Sequence, residues 1–147
     1  MAQKKFWLSY ESAAKGTLIS LTKVLDNLQF NEQGLLPVIA QDYQTKDVLM
    51  MAWVNRAALE ETLITRQVCY WSRSRQEFWR KGEQSGNRQF LQEMRIDCDG
   101  DTILLLVSQQ GGACHTQRKS CFYYTASKEV VVVNESVPKI YQDEKHD

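Results

Sequence analysis

The sequence predicts a single α+β domain dominated by β-structure, on three observations. Short runs with period-two or continuous apolar character recur from residue 36 to residue 133, whereas helical spacing of apolar residues is confined to two places. Polar or glycine-bearing turn segments separate the runs. A length of 147 residues suits one modest core.

Taken in order, residues 1–30 form an N-terminal extension in which Leu18, Leu21, Val24, Leu25 and Leu28 recur at helical spacing and predict a short amphipathic helix. Asn31-Glu32-Gln33-Gly34 is a turn. Leu36 to Tyr43 and Val48 to Val54 read as a hairpin across the polar break Gln44 to Asp47. Asn55 is placed to cap a helix carrying Ala58, Leu59, Thr62 and Leu63. Val68 to Trp71 is a β-branched and aromatic strand, and Ser72 to Arg88 has no clean period. Residues 89–98 and 102–107 pair as strands, 109–119 are a loop, and 121–125 and 130–133 supply two more strands. The domain is expected over 31–137, with a polar tail at 138–147.

Charge and hydropathy exclude several classes. Eighteen Lys and Arg residues balance eighteen Asp and Glu residues, so the chain as a whole lacks the basic footprint of a nucleic-acid binder. No apolar run approaches the ~20 residues of a membrane span. Phe6-Trp7-Leu8 is interrupted at once by Ser9-Tyr10-Glu11, too soon for a signal-peptide core. A cytoplasmic protein is expected, with reduced thiols available for metal or catalytic work. Of the four cysteines, Cys69 within Val68 to Trp71 reads as a packed core residue.

Three segments carry chemistry. Asp97-Cys98-Asp99-Gly100-Asp101-Thr102 has two readings. As a hairpin with Asp99-Gly100 at its two-residue turn, it would keep its three carboxylates apart. As an extended or bulged segment, it would put Asp97, Asp99 and Asp101 on one face and Cys98 on the other. Oxygen-only donors of that kind suit Mg²⁺ or Ca²⁺. An EF-hand is excluded, because the twelfth position from Asp97 is Ser108 rather than Glu.

The loop at 111–122 holds Cys114, His115 and Cys121. With Cys98 they make three thiols, the ligand count of a catalytic zinc that keeps one position for water, although the spacing is not a C-x2-C knuckle. His115 is open to three roles: fourth ligand, general base or packing residue. Arg118 and Lys119 are expected to favour the thiolates. Residues 71–88 set Arg73, Arg75, Arg80, Lys81 and Arg88 against Glu77 and Glu83, with Gly82 and Gly86 among them. That composition serves either a phosphate site or a solvated loop.

These segments in this order resemble the phosphoribosyl-AMP cyclohydrolases of histidine biosynthesis. The resemblance rests on Leu36-Pro37 through Gln41-Asp42, V-L-M-M-A-W-V-N at 48–55, W-S-R-S-R at 71–75 and W-R-K-G-E-Q-S-G-N at 79–87. D-C-D-G-D at 97–101 and A-C-H-T-Q-R-K-S-C-F at 113–122 complete it. It implies a mixed or antiparallel sheet folded into a partly open pseudo-barrel with a short helix, in a homodimer. Zinc would be held by Cys98 of one subunit with Cys114 and Cys121 of the other, and Mg²⁺ by Asp97, Asp99 and Asp101. The implied substrate is N1-(5-phosphoribosyl)-AMP, opened at N1–C6 by zinc-activated water. His115 is then assigned as proton carrier, and Trp71, Ser72, Arg73, Arg75, Lys81, Gly82, Glu83, Ser85 and Gly86 as the substrate pocket. Arg80 departs from a position often held by histidine in the family. A separate phosphoribosyl-ATP pyrophosphatase is expected to make the substrate. The rival readings are a zinc-dependent purine deaminase, whose H-x-E and P-C-x-x-C signature is missing, and a dimeric module that zinc merely staples.

Overall fold

In the computed structural model, which describes residues 2–139, eight strands and three helices fall in the order α1 (Ala2–Ser9), α2 (Leu21–Asp26), β1 (Leu36–Asp42), β2 (Val48–Val54), α3 (Arg56–Thr65), β3 (Cys69–Ser72), β4 (Glu77–Arg80), β5 (Gln89–Ile96), β6 (Ile103–Gln109), β7 (Tyr124–Ala126) and β8 (Val131–Val133). The class is α+β and sheet-rich, as the sequence predicts. Residues 140–147 of the expected tail lie outside the described residues.

A four-stranded mixed sheet in the order β2-β1-β6-β5 carries the core. β1 and β2 pair antiparallel, β1 and β6 parallel, β5 and β6 antiparallel. Pro37, which has no amide to donate, sits at the second position of β1, one residue before pairing with β6 begins at Val38. Leu36, Val38 and Ala40 turn one face of β1 inward, where Leu49, Val54, Leu59, Ile103, Leu105 and Val107 meet them. The described strands do not close into a barrel. β3 and β4 form a separate ribbon, with β3 packed against β2 and α3, and β7 and β8 form another.

The helix at Asn55 forms as the sequence predicts. Its side chain accepts from the Ala58 amide at 2.8 Å, and the helix ends at Arg66 in the left-handed region. Buried Thr62 then ties α3 to β3: its hydroxyl donates to the Ala58 carbonyl at 2.9 Å and accepts from the Cys69 amide at 2.9 Å.

Three elements differ from expectation. The helix drawn from the leucine spacing is shorter, because the Ser20 hydroxyl accepts from the Lys23 amide and starts the helix there, leaving Leu18 exposed. Helix α1 was not expected; its half-buried residues are Gln3, Phe6 and Trp7, with Tyr10 just beyond its end, a helical spacing that interruption by polar residues disguises. β4 lies in the stretch without a period because all four of its residues are exposed, so burial imposes no alternation.

One consequence of this topology governs the site. β6 begins immediately after the acidic hexapeptide and ends just before the cysteine and histidine loop, so the two segments lie at opposite ends of one strand.

Candidate active site and metal centres

Asp97 to Thr102 joins β5 to β6, with Ile96 paired to Ile103 just before and after it. It is a turn, and its carboxylates converge nonetheless. The Gly100 amide donates to the Asp97 carbonyl at 3.2 Å with Gly100 at φ +69°, so the turn is centred on Cys98-Asp99 rather than on Asp99-Gly100. Oδ1 of Asp97 accepts from the amides of Asp101 at 3.0 Å and Thr102 at 3.3 Å, folding the first acid back over the loop. Carboxylate oxygens of Asp97, Asp99 and Asp101 all lie within 4.8 Å of one another. The segment thus combines the two sequence readings: it is a turn, as the first has it, and its three acids face one point, as the second has it. None of the ion pairs among the described residues involves them. An octahedral Mg²⁺ with ~2.1 Å bonds needs oxygens ~3.0 to ~4.2 Å apart, so a cation fits after small side-chain adjustments.

At the other end of β6, Cys114 and Cys121 come together. The Cys114 amide donates to the Arg118 carbonyl at 3.2 Å, closing a tight loop, and the Cys121 amide donates to Leu49 of β2 at 2.7 Å. Burial opposes ionisation of Cys114, but hydrogen bonds from Thr116 and the Cys121 thiol, with the charge of the Arg118 guanidinium, outweigh it and hold the thiol below its usual range. The Thr116 hydroxyl donates to its sulfur at 3.2 Å. Cys121 remains open to solvent as a residue, yet protein packed around its thiol, with Cys114 beside it, pushes it up to about 11. The two thiols lie side by side and each shifts the other, which makes them a pair of adjacent soft donors. Such a pair suits zinc.

Cys98 does not join them. It is exposed in the acidic loop, and β6 with its seven residues separates the two segments by ~20 Å at about 3.3 Å per residue. Among the described residues, the one trio of His, Cys, Asp or Glu side chains close enough to share an ion is the aspartate trio.

Nδ1 of His115 lies 3.9 Å from the Cys114 sulfur, and the residue is exposed. Lys81 follows β4 and donates from Nζ to the Ala113 carbonyl at 2.8 Å. Burial lowers its pKa, while the thiols of Cys121 and Cys114 favour its charge. It takes the place that the sequence assigned to Lys119, whose Nζ goes instead to Asp47 at 2.7 Å and Asp42 at 3.7 Å. Arg118 acts on Cys114 as expected.

Residues 71–88 divide into two stations. Ser72, Arg73 and Arg75 stand at the β3–β4 turn, with the Arg73 guanidinium 4.5 Å from the Trp53 ring centre. Trp71 packs edge-on against Phe78. Lys81, Gly82, Glu83, Ser85 and Gly86 lie at the far end of β4. Gly82 has φ +85°, and a Cβ there would collide with the backbone of Arg88. Glu83, Ser85 and Gly86 are exposed. Arg80 makes a bidentate pair with Glu61 at 2.8 and 2.9 Å, which fixes β4 to α3 and occupies its guanidinium.

Sequence reasoning missed Asn87, Thr116 and Gln117. The Asn87 amide donates to Gln117 Oε1 at 2.6 Å and joins the 82–88 turn to the thiol loop. A hydroxyl two residues after Cys114 was the visible signal for Thr116; nothing local announces the other two. Cys69 is buried as expected, its thiol pushed up to about 12 by that burial, and it takes no part in the site.

The family model for phosphoribosyl-AMP cyclohydrolase matches residues 50–123, which span α3, the acidic loop and the thiol loop. A phosphoribosyl-AMP cyclohydrolase of Halorhodospira halophila is 58% identical over 125 residues, 85% of this chain and 88% of its own length. Another from Alkalilimnicola ehrlichii is 62% identical over 113 residues, 77% and 80%. Phosphoribosyl-AMP cyclohydrolase 2 of Pseudomonas fluorescens is 54% identical over 140 residues, 95% and 93%. With the thiol pair, the converging aspartates and the basic turns all inside the matched region, the chain belongs to the phosphoribosyl-AMP cyclohydrolase family.

Proposed function

We propose that this chain opens the adenine ring of N1-(5-phosphoribosyl)-AMP by hydrolysis, as a homodimeric enzyme of histidine biosynthesis. Family membership carries the reaction. The observation that carries the assembly is the separation of Cys98 from the Cys114–Cys121 pair: within one chain three thiols cannot share an ion, whereas a two-fold dimer returns each loop to the other's partner. The β7–β8 ribbon supports the same reading. All six of its residues are exposed, Val131 by 60% and Tyr124 by 64%, and a lone two-stranded ribbon of that composition is marginal in water.

When bound, zinc would supply a water of lowered pKa near the thiols, and Mg²⁺ would supply positive charge at the aspartates. The ribosylated N1 makes the adenine ring an amidinium that is electron-poor at C6. Addition of water at C6 and transfer of a proton to N1 break the N1–C6 bond. The exocyclic nitrogen stays on C6 as a carboxamide, which separates ring opening from deamination. His115, whose Nδ1 lies beside the Cys114 sulfur in an exposed ring, is our assignment for the carrier of that proton. Lys81 offsets the thiolate charge and braces the Ala113 carbonyl. The substrate bears a phosphate at each end, and the two cationic stations at the ends of β4 suit such a molecule. The domain is assigned to 31–137 with an extension at 1–30, and the cytoplasm as its location accords with no helix among the described residues being long and apolar enough to cross a membrane.

Purified protein given phosphoribosyl-AMP should form the opened aminoimidazole carboxamide product. A zinc chelator should stop turnover, and re-added zinc restore it. Release of ammonia instead would support a deaminase, and zinc-dependent dimers without turnover a stapled module.

A further inference from the structure

We propose that Trp7 and Gln29 are positioning residues for the Asp97–Thr102 loop, which hold its backbone so that the three carboxylates converge and Cys98 stands outward. The inference rests on the reading above for what the loop binds. It concerns residues 2–30, which lie outside the matched family region and had no assigned role.

Two independent contacts carry it. The Gln29 amide donates to the Gly100 carbonyl at 2.8 Å, and Gln29 Nε2 donates to the Asp99 carbonyl at 2.7 Å. These two carbonyls lie on either side of Gly100, where the turn ends. The indole of Trp7 covers Gly100 so closely that a Cβ on Gly100 would overlap its ring, and Gly100 is buried although Cys98 and Asp99 before it are exposed. Trp7 is itself tethered, its Nε1 donating to the Asn27 carbonyl at 2.8 Å, two residues before Gln29. The N-terminal extension therefore holds Gly100 by the indole over its Cα and by the carbonyls of the peptides on either side.

The loop needs such a hold for a physical reason. Three carboxylates within 4.8 Å repel one another, and none of the ion pairs among the described residues relieves them. The bonds that fold Asp97 over the loop come from the loop's own amides at Asp101 and Thr102, so they open when the turn opens. Gln29 and Trp7 supply restraint from outside, anchored through α2, where Val24 and Leu25 reach the core. A loop left to relax would spread its acids, weaken a shared cation and scatter the direction of Cys98.

The test compares the full chain with Trp7→Ala, Gln29→Leu and Trp7→Phe, reading amide hydrogen exchange by NMR and binding of Mn²⁺ by water-proton relaxation. In Trp7→Ala and Gln29→Leu, exchange at Asp101 and Thr102 should rise about tenfold, the effect of removing one such restraint. Exchange in β1 should stay as it was, and Mn²⁺ binding should weaken by a similar factor. Trp7→Phe refills the space above Gly100 and should recover most of the loss. Should Trp7→Ala not fold, Gln29→Leu, which deletes a single side-chain bond, decides alone. Unchanged exchange at Asp101 and Thr102 overturns the proposal, and so does a rise spread equally over β1. If the parent protein binds no Mn²⁺, the cation reading of the loop fails, while the exchange data still decide the clamp.

Discussion

A mixture of two inactive variants should recover activity. Cys98→Ser removes the thiol at one end of β6, and Cys114→Ser removes one of the pair at the other end. Thiolates on one tetrahedral zinc lie ~3.8 Å apart for Zn–S bonds of ~2.3 Å, far less than the ~20 Å of strand between the two loops. In a dimer with shared sites, each homodimeric variant therefore has two broken sites. A hybrid dimer has one site with both lesions and one with none. Equal mixing with random reassociation makes half the dimers hybrid, so about a quarter of the parental sites are complete. Differently tagged chains, refolded together with zinc and purified on both tags, should be about half as active per dimer as the parent, and zinc analysis should follow the same proportion. Hybrids confirmed by both tags but without activity would refute the shared site. So would full activity in Cys98→Ser alone.

Other consequences follow from single contacts. Thr62→Val keeps the shape but leaves the buried Cys69 amide without its partner, and should lower unfolding free energy by about 1–3 kcal/mol in urea titration. Gly82→Ala forces a side chain into φ +85° and onto the Arg88 backbone; it should displace the turn after Lys81 and cut kcat/KM at least about tenfold, with the loss read by steady-state kinetics. Lys81→Met removes a bond to the Ala113 carbonyl and the cation beside the thiols, and should weaken zinc binding in a competitive chelator titration about tenfold. Asp42 lies below its ordinary value of 3.8, chiefly through the Thr45 amide and further through Lys119. A depressed folded value means that its contribution is present above 3.8 and lost as pH falls through the lower value. Acid unfolding followed by circular dichroism should therefore begin at higher pH in Lys119→Met.

The sequence by itself determined the elements that local chemistry controls. Asn55 three residues before an amide donor starts α3, the apolar run at 48–54 makes β2, and the alternation from Gln89 makes β5. It also marked both candidate metal-binding segments, because their density of thiols and carboxylates sets them apart from the rest of the chain. Tertiary structure decided where those segments stand. Parallel pairing of β1 with β6 links residues more than sixty apart, and no local pattern records it. That pairing brings Leu49 to Cys121 and leaves Cys98 a strand's length away. The acidic turn closed differently from its Asp-Gly signature because Gln29 and Trp7, some seventy and ninety residues earlier, hold it at Asp99 and Gly100. Side-chain period reports which face is buried, whereas the meeting of distant loops depends on strand order and register, which only the packed core fixes.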